Sequence, residues 1–146
     1  MGVLVGGVCY LSIESNRATS GPKTTARQGF LIRQAPMVQD ALIRLQVVEQ
    51  DLIKRKDELA VALKSRGRDP KHDVDFQTWG RHLKELAEDR AELEQKADDI
   101  YIDYKKFQLS FDPEVNNRYQ ESLKEGQKLS TKLSYKYSEI KVDMAR

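Results

Sequence analysis

Two histidines and the carboxylates around them carry the richest chemistry in this chain. His72 lies in "DPKHDVD", where Asp69, Asp73 and Asp75 surround it, and an imidazole among carboxylates is a ligand set for a divalent metal. A calcium loop of the EF-hand kind also needs Gly at its sixth position and Glu at its twelfth. Counted from Asp69 or Asp73, this stretch supplies neither, so the aspartates read as helix caps in a polar turn. His82, two residues after Gly80, reads as a partly exposed helical residue rather than a ligand or a base. Phosphate-binding glycine loops, the zinc motif HExxH and the nucleophile elbow are all missing. Carboxylate pairs are frequent, as in any charged helix, with no concave site implied around them. The expectation is a protein that is not an enzyme and takes no cofactor, metal or small-molecule substrate.

A second pattern concerns partners. "KLSTKLSYKYSE", residues 128–139, repeats a tetrad three times. Four residues turn a helix by roughly 400°, so each row drifts by about 40° per step. Lys124, Lys128, Lys132 and Lys136 therefore share one broad sector of a helix. Ser122, Gly126, Ser130, Ser134 and Ser138 make a neighbouring row of small residues, and Leu129, Leu133 and Tyr137 an apolar one. The lysines read as a solvated face or as a contact for an anionic partner such as an acidic protein tail, RNA phosphate or lipid headgroups. Glu121, Glu125 and Glu139 dilute that field. The small row allows a second backbone to come close, inside the fold or from a partner.

The elements that must position these rows are helical. Val38, Leu45, Leu52 and Leu59 recur every seventh residue, accompanied by Ala41, Val48 and Ala62, an a/d seam interrupted at Arg55. Gly67 and Pro70 in "SRGRDP" end this first helix, predicted over about residues 37–66. A second helix, about 74–109, carries a seam from Phe76 through Trp79, Leu86, Leu93 and Ile100 to Phe107. Asp112 as N-cap and Pro113 at the first position then open a third, about 112–144. Short breaks favour antiparallel packing. The predicted fold is all-α: an antiparallel three-helix coiled-coil bundle over residues 37–146, behind an extended N-terminal arm, residues 1–36. That layout, with a Trp in the seam, resembles the plan of spectrin-repeat and syntaxin N-terminal bundles; the resemblance is one of layout and implies no activity.

Ile43, Val47 and Val61 lie roughly 160–200° around the first helix from its seam. A bundle has no internal use for them there, so they are expected to be covered by another chain or by the arm.

Composition limits the classes. Among 146 residues, 33% are charged and 39% hydrophobic, a balance suited to long helices with one buried stripe. A net charge of +2 excludes a strongly basic nucleic-acid protein on totals, although residues 1–39 set Arg17, Lys23, Arg27 and Arg33 against Glu14 alone. The single Cys9 excludes an internal disulfide framework. No apolar run reaches the roughly 18 residues of a membrane span, and the opening "MGVLVGGVCYLSI" lacks the basic region of a secretory signal. The acid-poor start has the composition of an organelle transit sequence, which gives an intracellular protein, mitochondrial or cytoplasmic. The expected function is a structural or accessory subunit of a larger protein assembly. It would dock through Ile43, Val47 and Val61, the four lysines, and Arg27 and Arg33 of the arm. The alternative is an RNA- or ribosome-associated protein using the basic residues of the arm and third helix, a binding mode that would weaken steeply with salt.

Overall fold

The computed structural model describes residues 25–145, and every regular element among them is helical. Four α-helices follow one another: α1 (Ala26–Gln34), α2 (Pro36–Ser65), α3 (Val74–Gln108) and α4 (Pro113–Ala145). A single 3-10 turn, Pro70–His72, lies between α2 and α3. No helix among the described residues is long and apolar enough to cross a membrane.

Local chemistry sets the ends. Gly67 takes φ 72°, the left-handed backbone that a residue with a Cβ adopts only with strain. It closes α2 with two bonds, Gly67 N–H to the Lys64 carbonyl at 3.0 Å and Arg68 N–H to the Leu63 carbonyl at 2.9 Å. Asp73 accepts from the Phe76 N–H at 3.0 Å and opens α3. At the start of α4, Asp112 accepts from the Glu114 N–H at 3.0 Å, and Pro113 occupies the position where its missing N–H costs nothing.

Side-chain pairs give the order of packing. Glu49 meets Arg90 at 3.2 Å and Lys56 covers the Phe76 ring, so numbering along α3 falls as numbering along α2 rises. Between α3 and α4 the partners are Asp103 with Ser122, Lys96 with Glu125 at 2.8 Å, and Asp89 with Lys136 at 2.9 Å, again in opposite order. Along α2 and α4 the order is the same, from Val38 beside Gly126 to Arg55 donating to the Met144 carbonyl at 3.0 Å. The core between them is built from Val38, Leu45, Leu52, Leu86, Leu93, Ile100 and Leu133, all buried.

Two expectations need correction. The arm of residues 1–36 is not extended where it is described, because Ala26–Gln34 forms α1; residues 1–24 lie outside the described residues. A capping box starts α1, with the Gln28 N–H donating to Thr25 Oγ1 at 3.1 Å and the Thr25 N–H to Gln28 Oε1 at 3.0 Å. Phe30 (1% exposed) and Leu31 then enter the core, with the Phe30 ring 4.6 Å from that of Tyr104 and 5.3 Å from that of Tyr101. Burying these two residues in the core, with Phe30 against α3, is what folds the segment back.

The second correction concerns α2. Its seam does not run on through Ala62, which is exposed; Leu63 is buried in its place. A strict seven-residue repeat drifts by about 20° per heptad on a straight helix, and one four-residue step at Arg55 resets the face.

Candidate functional site

Between α2 and α4 the long helices leave an open seam on their outer side, and a further depression of about 620 Å³, lined by His82, Glu85 and Glu139, lies between α3 and α4. Three adjoining depressions share residues along the α2–α4 seam. The central one encloses about 370 Å³, with Ala41 and Ser134 among its lining residues and Met37, Arg44 and Tyr135 at its sides. Toward the chain's N-terminal end, Met37 and Thr131 continue it between Lys124 and Lys128. In the other direction it passes Ile43, Val47 and Ser134 to Lys141. Met37, Ile43, Val47 and Tyr135 stand 44–74% exposed along this line, although each is large and apolar in body.

The serine row makes the groove possible. Gly126 sits so near α3 and α2 that a Cβ there would lie 2.6 Å from Ile100 Cδ1 and 3.0 Å from Val38 Cγ2. Ser130, one turn on, is 1% exposed. Each hydroxyl donates back along α4: Ser130 to the Gly126 carbonyl at 2.7 Å, Ser134 to Ser130 at 2.8 Å, Ser138 to Ser134 at 3.1 Å. The row is thus short, and its donors are already used. An apolar surface laid over it strands no hydroxyl proton.

The residues singled out from the sequence fall into distinct places. Ile43 and Val47 flank the groove instead of lying across α2 from the other helices. Val61 is 70% exposed, about 21 Å further along α2 at 1.5 Å per residue, and does not share that surface. Lys124 and Lys128 border the groove and Lys132 is exposed. Lys136 turns to α3, where its hydrogen bond to Asp89 raises its pKa against the opposing effect of burial. Arg27 is tied to α3 by Glu94 at 2.8 Å and Asp98 at 3.0 Å. Burial alone would lower the Arg27 pKa, but hydrogen bonds and charge from those carboxylates outweigh it and raise it. Arg33 is exposed in the last turn of α1, where a cation suits the helix dipole.

Sequence reading passed over Met37, Tyr135, Arg44 and Lys141. Their signal is spatial, since it depends on which two helices lie side by side in the same direction.

In the histidine-bearing turn two of the aspartates act as caps. Asp69 accepts from the Lys71 N–H and Asp73 from the Phe76 N–H, each at 3.0 Å. His72 points outward, 3.8 Å from Asp69. His82 is packed between α3 and α4, with Nδ1 3.7 Å from Glu85 and Nε2 3.8 Å from Asp143. Among the described residues no group of three or more His, Cys, Asp or Glu is placed to hold a metal ion. Comparison with protein-family models, with curated proteins and with solved structures gives no match.

Proposed function

We propose that this chain is a non-catalytic structural or accessory subunit of a larger protein assembly. In this reading α2, α3 and α4 form an antiparallel three-helix coiled-coil bundle, with α1 folded across one end. The ordered pairs Glu49–Arg90, Lys96–Glu125 and Asp89–Lys136 support that topology. One observation carries the function: the α2–α4 groove, where Met37, Ile43, Val47 and Tyr135 stay exposed over a floor of small residues with satisfied hydroxyls. Covering it buries apolar area at little polar cost, the condition for a stable protein interface. The RNA-binding alternative loses two of its cations, since Arg27 and Lys136 are engaged by carboxylates of α3.

Site-specific photo-cross-linking in the native host tests the reading. A benzophenone amino acid replacing Tyr135 should capture another protein, while the same group at the exposed α3 position Gln95 should not. Val47→Asp should abolish the capture. Equal yields at both positions, or none at position 135, would refute docking through this groove.

A further inference from the structure

We infer that the occupant of the α2–α4 groove is an amphipathic helix of a partner protein whose flanks are acidic. The inference rests on the docking reading above and specifies its ligand.

Charge gives the first argument. Arg44, Lys124, Lys128 and Lys141 border the groove, and Asp40 is the one acidic residue lining it. The whole chain carries 25 basic against 23 acidic residues, so the excess is local. Two acidic residues of α4 are turned to the α3 side: Glu125 is held by Lys96 of α3 at 2.8 Å, and Glu139 lines the α3–α4 side, while Glu121 lies outside the lining of the groove. An opposing flank of Asp and Glu would complement this border.

Shape gives the second. Lys124 and Lys141 are 17 residue steps apart along α4, roughly 25 Å at 1.5 Å per residue, so about five turns of helix fill the groove. Apolar residues spaced three and four apart on such a helix would meet Met37, Val47 and Tyr135, while the serine floor lets its backbone come near. The same features disfavour other occupants. A nucleic acid would set phosphates over apolar side chains, with Tyr135 the one exposed aromatic there for stacking. A second copy using the same groove would bring basic border against basic border, because a two-fold contact repeats the same surface on both sides.

The test uses two labelled 18-residue peptides with the same leucine stripe, one flanked by glutamates and the other by lysines. Their binding to the full-length chain is read by fluorescence anisotropy at low salt. The acidic peptide should bind more tightly by on the order of tenfold, as expected for several exposed charge pairs acting together. Combined Arg44→Glu, Lys128→Glu and Lys141→Glu should reverse the preference, and Tyr135→Asp should weaken both peptides. Equal affinities, a preference for the basic peptide, or binding of neither would overturn the inference. So would a dimer of the chain in sedimentation that Tyr135→Asp dissolves, or displacement of the acidic peptide by polyuridylate RNA or by vesicles of anionic lipid. Cross-linking from position 135 to a protein, combined with loss of the acidic preference, would leave the docking surface standing and remove only its acidic ligand.

Discussion

Gly126 and Ile100 meet more closely than any side chain at position 126 would allow: an added Cβ would lie 2.6 Å from Ile100 Cδ1. Val38 Cγ2 closes the other side at 3.0 Å. Glycine inside a helix costs about 1 kcal/mol relative to alanine, so its presence here is offset by packing. Ile100 can rotate its terminal methyl only into a filled core, and Val38 is stiff at χ1.

Gly126→Ala should therefore destabilise the chain by about 1 kcal/mol despite its better helix propensity, because overpacking costs roughly 1–3 kcal/mol. Ile100→Val removes the obstructing Cδ1, so the double variant should be no less stable than Gly126→Ala alone. Urea melts of the four proteins give the coupling. Additive losses would show that Ile100 does not set the limit at position 126.

Phe30→Ala should cost about 3–5 kcal/mol, a magnitude typical of a core aromatic, although Phe30 precedes the first long helix. Its ring touches those of Tyr101, Tyr104 and Tyr119, with centroids 4.6–6.5 Å away. Leu93→Ala in the middle of α3 should fall in a similar range, about 2–5 kcal/mol. A loss below half a kcal/mol for Phe30→Ala would mean that α1 contributes nothing to the fold.

The contrast between Phe30 and Leu93 shows what was legible in the sequence. The α3 seam, Gly67 as terminator and the caps at Asp73 and Asp112 all follow from periodicity and end chemistry, which act within a few residues. Phe30 sits in a short helix among Arg, Gln and Gly, where nine residues are too few to establish a period. Thr25 and Gln28 were its readable signal, a capping box three residues apart. Ile43 and Val47 were visible as surplus apolar residues on α2. Their neighbours Tyr135 and Lys141 belong to α4, and only the side-by-side placement of the two helices joins them into one surface.

Stability should fall on the alkaline side. Tyr137 is buried with no hydrogen-bond partner for its hydroxyl, and burial, helped by the Asp89 charge, pushes its pKa well above the ordinary 10.0. Tyr119 is raised by burial and by Tyr104, and Lys136 chiefly by its hydrogen bond to Asp89. Each group binds its proton more tightly folded than unfolded. Their contribution is therefore complete below the unfolded values, near pH 10.0 and 10.5, and is lost as pH rises from there toward the folded ones. Urea melts should thus weaken above about pH 10. Tyr137→Phe should flatten that fall and, by removing an unsatisfied hydroxyl, gain about 1 kcal/mol at pH 7. A Tyr137→Phe protein that is less stable at pH 7 by that amount would indicate that the hydroxyl has a partner.

The serine row separates folding from docking. Ser130 is 1% exposed, whereas Ser134 is only half-buried and lies on the groove floor. Ser130→Leu must force two additional heavy atoms into close-packed space and should cost roughly 1–3 kcal/mol. Ser134→Leu has the groove to extend into, so its thermal midpoint should stay close to that of the parent chain. Lys132→Leu, on the exposed side of the same helix, should be nearly neutral in melts. The ranking reverses for assembly. A leucine at position 134 stands where a partner's backbone would approach, so cross-linking from position 135 should be lost with Ser134→Leu and retained with Lys132→Leu. If Ser134→Leu melts like the parent chain and still cross-links normally, the small residues past Ser130 have no part in docking.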